Sequence, residues 1–189
     1  VIKLCEKLET EVEISGELYE VNMSYDNIIK LLDLLKNPRL SDGEKVYLGI
    51  YLLLGTELEL KAEQQVLVFE TLVEKFVHGE DAIDIPVDLE GNIMPLVKRQ
   101  ESYDLTFDAG YIYTSFRQAY GINLFKEQGK LDWREFKQLL QDLPDKTKFK
   151  QVVDIRTRPY PKGKGMGEER KNLKELKRTF ALPHSQLED

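Results

Sequence analysis

The sequence predicts a mainly α (α+β) protein: a helical bundle with an N-terminal β-hairpin and a basic C-terminal helical arm. Three observations predict it. Apolar residues recur at helical spacing over most of the 189 residues. Alternation of apolar and polar residues is confined to the stretch before Tyr25. Positive charge gathers late: residues 145–178 hold 12 Lys/Arg against 5 Asp/Glu, so a net charge of −7 leaves −12 on residues 1–144. The length suits one ordinary domain or two small ones sharing a core.

The elements follow in order. Val12 and Ile14 alternate with glutamates, Ser15-Gly16 is turn chemistry, and Tyr19, Val21 and Met23 alternate on the return. A lone two-stranded ribbon is marginal in water, so it must pack on helices or join another strand. Tyr25, Ile28, Ile29, Leu32 and Leu35 form one helical stripe that stops at Asn37-Pro38. Ser41 and Glu44 make a capping box for a helix ending at Gly55. That helix is apolar nearly all round, from Val46 to Leu54, which predicts burial at a domain centre or in a subunit contact. A third helix over 61–77 turns Val66, Phe69, Leu72, Val73 and Phe76 inward.

Residues 80–102, broken by Pro86, Gly91 and Pro95, read as a connector. Thr106 or Asp108 opens a helix whose stripe is Ala109, Ile112, Tyr113, Phe116, Ala119 and Tyr120, with Gly121 as its stop. Asp132 caps a helix burying Trp133, Phe136, Leu140 and Leu143, which Pro144 ends. Thr147 opens a short helix carrying Phe149, Val152 and Val153. Arg158-Pro159-Tyr160-Pro161 is extended, 162–167 is a flexible hinge, and a last helix near 168–180 offers only Leu173, Leu176 and Phe180. About six helices result, in four segments: 1–79 (hairpin and three helices), 80–102 (connector), 103–158 (helical region completing the core) and 159–189 (flexible basic arm and tail).

Side-chain chemistry is sparse. His78 and His184 are far apart and Cys5 is the single cysteine, so no Cys/His metal cluster is expected, no internal disulfide forms, and a reducing cytoplasm fits. There is no Gly-x-Ser-x-Gly elbow. Lys162 to Gly167 fails as a phosphate loop: prolines precede it and no Ser/Thr follows its lysines. Asp81, Asp84 and Asp88 lack the spacing of a calcium loop. No apolar run approaches the roughly 20 residues of a membrane span, and the N-terminal residues carry no secretory pattern. The expectation is a non-enzymatic protein with no cofactor, no metal and no membrane contact.

What remains are candidates for binding a partner. The aromatic candidates are Tyr111, Phe116 and Trp133, with core packing as the competing reading. The cationic ones begin with Arg156, Arg158, Lys162 and Lys164 around the hinge. They continue along the last helix with Arg170, Lys171, Lys174 and Arg178. An acidic body and a basic arm are compatible with self-association or with an anionic partner. No nucleic-acid motif occurs, and the body's charge opposes phosphate binding.

The run Phe107-Asp108-Ala109-Gly110-Tyr111-Ile112-Tyr113-Thr114-Ser115-Phe116-Arg117-Gln118-Ala119-Tyr120-Gly121-Ile122 resembles the central motif of the bacteriophage gp-fifteen family of siphophages and prophages. Leu131-Asp132-Trp133-Arg134-Glu135-Phe136 is similar to its tryptophan helix. Leu143-Pro144, Thr147-Lys148-Phe149, Ile155-Arg156-Thr157 and Phe180-Ala181-Leu182-Pro183 agree as well. The family often has two adjacent tryptophans where this chain has Asp132-Trp133. The resemblance implies a tail assembly chaperone encoded beside the tape-measure gene. Such a protein binds the tape-measure protein, recruits tail-tube subunits, self-associates, works in the host cytoplasm and is absent from the mature virion. No catalytic residue comes with the resemblance. The alternative is a nucleic-acid-binding phage protein acting through the basic arm.

Overall fold

The structure, a computed structural model, describes residues 5–78, 102–163 and 165–183. The expected connector, Asp81, Asp84, Asp88, Lys164 and His184 lie outside the described residues. The chain divides into two compact units. Among the described residues the first comprises 5–78 with 125–139, and the second comprises 102–124 with 140–183. The tryptophan helix therefore belongs, up to Leu139, with the N-terminal elements.

The first unit opens with the expected hairpin. Strands β1 (Glu11–Ile14) and β2 (Glu17–Glu20) pair antiparallel, with Val12 opposite Tyr19 and Ile14 opposite Glu17. Ser15 and Gly16 both have positive φ, 54° and 86°, so the two-residue turn twists in the same sense as the strands. The chain leaves β2 tied on two sides. The Asn22 N–H donates to the Leu53 carbonyl at 2.7 Å, and Ser24 forms an isolated bridge with Asp132. In that bridge Trp133 N–H donates to Met23 O at 2.7 Å, and Tyr25 N–H to Leu131 O at 2.9 Å.

Helices α1 (Tyr25–Lys36), α2 (Asp42–Leu54) and α3 (Ala62–Leu72) follow. The buried line of α1 is Tyr25, Asn27, Ile28 and Leu31: Tyr25 and Ile28 lie inward as expected, whereas Asn27 and Leu31 take the place of the expected Ile29, Leu32 and Leu35. Asn27 turns the helix: its amide donates to Leu52 O at 2.8 Å and Asn22 O at 3.0 Å, which brings its own face inward. The capping box of α2 is present, with Glu44 N–H donating to Ser41 Oγ at 3.4 Å and Ser41 N–H to Glu44 Oε2 at 2.8 Å. Gly55 closes α2 in the left-handed conformation.

Gly49 fixes how these helices meet. A Cβ there would sit 2.4 Å from Phe69 Cε2 and 3.2 Å from Leu31 Cδ1. Only a missing side chain lets the Phe69 ring lie against the α2 backbone beside α1.

Past Leu72 the helix widens into a π-helical turn, Val73–His78, instead of continuing as α to Val77. The wider turn brings two adjacent residues, Phe76 and Val77, into the core. The Trp133 indole N–H donates to the Val77 carbonyl at 3.1 Å. Helix α5 (Trp133–Gln141) adds a ring stack: Phe136 lies 4.9 Å from Tyr25 and 5.7 Å from Trp133. Asp132 caps α5 as expected, accepting Arg134 N–H at 2.8 Å, and its carboxylate also takes the Arg134 guanidinium.

The second unit contains α4 (Ala109–Tyr120), α6 (Lys148–Thr157) and α7 (Gly167–Thr179). Its core holds Ile112, Phe116, Leu124, Leu140, Leu143, Phe149, Val152, Leu173 and Leu182. Helix α6 is not capped by Thr147, whose hydroxyl donates to Pro144 O at 2.7 Å. The first turn of α6 is served from α4, where Ser115 Oγ accepts Phe149 N–H at 3.1 Å. Seven α-helices are present among the described residues.

Two outcomes follow. Gly49→Ala gains about 1 kcal/mol of helix propensity but overpacks a buried ring, at a cost of about 1–3 kcal/mol. The expected net result is a lower denaturant midpoint. At Asp26, partial burial pushes the carboxyl pKa up. The Gly129 N–H at 2.8 Å and Lys30 at 3.4 Å outweigh that and hold it below its ordinary value. A lowered folded pKa gives stability that is present above the unfolded value, near 3.9, and is lost as pH falls through the folded value. Asp26→Asn should therefore cost about 1 kcal/mol at neutral pH, with the gap to wild type closing on acidification below about pH 4, as read by chemical denaturation.

Candidate partner-binding surfaces

The first unit carries an apolar surface and the second a cationic one. The apolar surface begins at α2. Neighbours cover only one side of this helix, so just Gly49, Ile50 and Leu53 are buried. Tyr47, Leu48 and Tyr51 are 41%, 37% and 50% exposed. The expectation that α2 lies at a domain centre is thereby corrected: α1 and α3 cannot enclose a helix that is apolar all round.

The exposed side has a regular pattern. Glu44, Tyr47, Leu48 and Tyr51 stand at i, i+3, i+4 and i+7, a single helical face, and all four are exposed. The neighbouring α3 repeats it with Glu63, Val66, Leu67 and Glu70, also all exposed. Val66, expected inward, is 40% exposed and Leu67 is 65% exposed. Each face sets apolar side chains among carboxylates. Tyr47 is held in place by its hydroxyl, which donates to Glu57 Oε1 at 2.5 Å. That hydrogen bond keeps the Tyr47 hydroxyl pKa above its ordinary value.

Of the cationic candidates one, Arg156, turns inward. Arg156 is buried and forked onto Asp108, with Nη1 2.6 Å from Oδ2 and Nη2 2.8 Å from Oδ1. Its remaining donors reach Phe180 O at 2.6 Å and Ser102 O at 3.1 Å. Asp108 is wholly buried and takes Asp104 N–H at 3.0 Å as well. Arg156 therefore binds segments of its own chain together, and the reading of it as a partner contact is corrected. Asp108 occupies the N-cap position of α4 without capping it, since its carboxylate is committed to Arg156.

Other cations of this region also have internal company. Arg158 pairs with Asp154. Lys150 donates to Gln141 O at 2.8 Å. Lys148 lies 4.6 Å from the Phe180 ring centre, and Arg170 and Lys177 lie against Tyr160 at 5.8 and 4.8 Å. Lys162, Lys171 and Arg178 are exposed, and Lys174 is half-buried.

The aromatic candidates divide. Phe116 and Trp133 are core residues of different units, which corrects their reading as partner contacts. Tyr111 is half-buried, its ring edge-on to Phe180 with centroids 6.3 Å apart. Through Leu173, Phe180 and Leu182 the C-terminal residues pack onto the second unit. Among the described residues no group of His, Cys, Asp or Glu could hold a metal ion, and no helix is long and apolar enough to cross a membrane.

The model of the family described as Bacteriophage Gp15 protein matches residues 4–182. No curated protein and no solved structure matches the chain.

Removing the Arg156 side chain strands a fully buried carboxylate. Arg156→Ala should lower stability by about 3–5 kcal/mol. Replacing Arg156 and Asp108 together by apolar residues should recover much of that loss, and equilibrium denaturation of the single and double variants checks it.

Proposed function

This chain belongs to the Bacteriophage Gp15 protein family and is a phage protein, and on that premise we propose that it is a tail assembly chaperone. It binds the tape-measure protein, helps recruit tail-tube subunits and catalyses no reaction. The observation that carries the proposal is the uncovered apolar side of α2, with Tyr47, Leu48 and Tyr51 exposed on one helical face. A tape-measure protein presents long apolar helical stripes until the tail tube encloses them. A protein that keeps such a helix soluble needs an apolar contact face, a charged exterior and contacts repeated along the stripe.

The charge distribution supports self-association along that helix. Residues 1–144 are strongly acidic, and Lys162, Lys171 and Arg178 are exposed on the basic C-terminal part. Opposite charges on different copies favour head-to-tail contacts. The nucleic-acid reading loses support because Arg156 is turned inward and Lys148, Lys150 and Arg158, though not buried, have partners within the chain. The site of action in this reading is the host cytoplasm, with the protein absent from the finished virion.

Co-expression with the neighbouring tape-measure protein tests the proposal. The expected outcome is a soluble tape-measure protein that co-purifies with this chain in complexes holding several copies, smaller at high salt by sedimentation. A tape-measure protein that stays insoluble and does not co-purify would refute the chaperone role.

A further inference from the structure

The repeated pattern on α2 and α3 narrows what the apolar surface can hold. We infer that the outward faces of these two helices dock one class of partner, an amphipathic helix whose apolar stripe is bordered by lysines or arginines. The inference rests on the chaperone reading for the partner's origin, while its chemistry rests on the faces themselves.

Shape points to a helix. Each face is a ridge of side chains at i, i+3, i+4 and i+7, and two neighbouring helices carry one each. Ridges of this spacing pack against the ridges and grooves of another helix. The opposite side of α2 is already filled, because Gly49 lies against Phe69 and Leu31. Tyr47 and Tyr51 suit a surface that is wet when empty and dry when occupied, since a tyrosine ring buries apolar area while its hydroxyl keeps a polar partner. Tyr47 is set in advance by its bond to Glu57, which lowers the ordering cost of docking.

Charge points to the border. From Asp42 to Glu74 the sequence has 7 Asp/Glu and 2 Lys. One of those lysines, Lys45, pairs with Asp42 at 3.9 Å. Glu44 ends the apolar run of α2, and Glu63 and Glu70 bracket Val66 and Leu67. A partner that covers the apolar residues partly dehydrates these carboxylates. It is repelled if its flanks are acidic and steered in if they are basic. The same acidity disfavours anionic lipid and nucleic acid at this surface.

The test uses the full chain and two designed helical peptides with the same leucine stripe, one flanked by lysines and the other by glutamates. The lysine-flanked peptide should bind at least about tenfold more tightly by fluorescence anisotropy. That preference should shrink or reverse in Glu63→Lys/Glu70→Lys. Leu48→Glu/Tyr51→Glu alters exposed positions only. It should weaken binding at least about tenfold with an unchanged circular dichroism spectrum. Equal binding of both peptides, or wild-type affinity in the Leu48/Tyr51 variant, overturns the inference. Self-association of the chain alone that this variant abolishes would also overturn it, by assigning the face to a second copy. Co-expression separates the two readings. If the Leu48/Tyr51 variant still solubilises the tape-measure protein, the docking face is wrong and the chaperone role stands. If wild type fails to solubilise it yet prefers the lysine-flanked peptide, the face stands and that role is wrong.

Discussion

The bare backbone at Gly49 sets the arrangement on which the first unit depends. Phe69 approaches α2 at a point where even a methyl group would collide, and Leu31 closes the same spot from α1. This contact decides which side of α2 is inside. The helix has apolar residues in every direction, and two neighbours can shield only one of them. The exposed tyrosines and leucine therefore follow from packing geometry. Burial drives folding on one side of the helix and leaves Tyr47, Leu48 and Tyr51 on the other side facing water.

The second unit depends on a different force. Arg156 joins α6, the start of α4 and the end of α7 through a buried carboxylate and two carbonyls. A guanidinium suits this task because its donors form a rigid planar fork and stay charged when dehydrated. Its pairing with Asp108 joins Ile155-Arg156-Thr157 to Phe107-Asp108-Ala109, two segments far apart in sequence. Each half would be a burial penalty without the other.

What could be read from sequence was local. The Ser15-Gly16 turn, the Ser41/Glu44 capping box, the Gly55 and Gly121 stops and the Asp132 cap each involve residues within a few positions of one another, and all stand where they were expected. What escaped was non-local. The rotation of α1 toward Leu31 follows from Asn27 reaching α2. Ser115 of α4 serves the first turn of α6 across the second unit. The π turn at Val73–His78, with Phe76 and Val77 buried, had no local sequence signal. Among the candidate residues, charge was legible but pairing was not. Arg156 and Lys171 look alike as letters, yet one is sealed against a carboxylate and the other faces solvent.

The lone tryptophan has a use of its own. Trp133 is the single Trp of the chain, sits inside the first unit, stacks on Phe136 and has its indole nitrogen bonded to Val77. Its fluorescence is thus a native optical gauge for one half of the molecule. Emission tracks the melting of the first unit, while far-ultraviolet dichroism sums over both. Superimposed curves from the two signals would mean that the halves come apart as one, and separated curves would mean that each has its own thermal life.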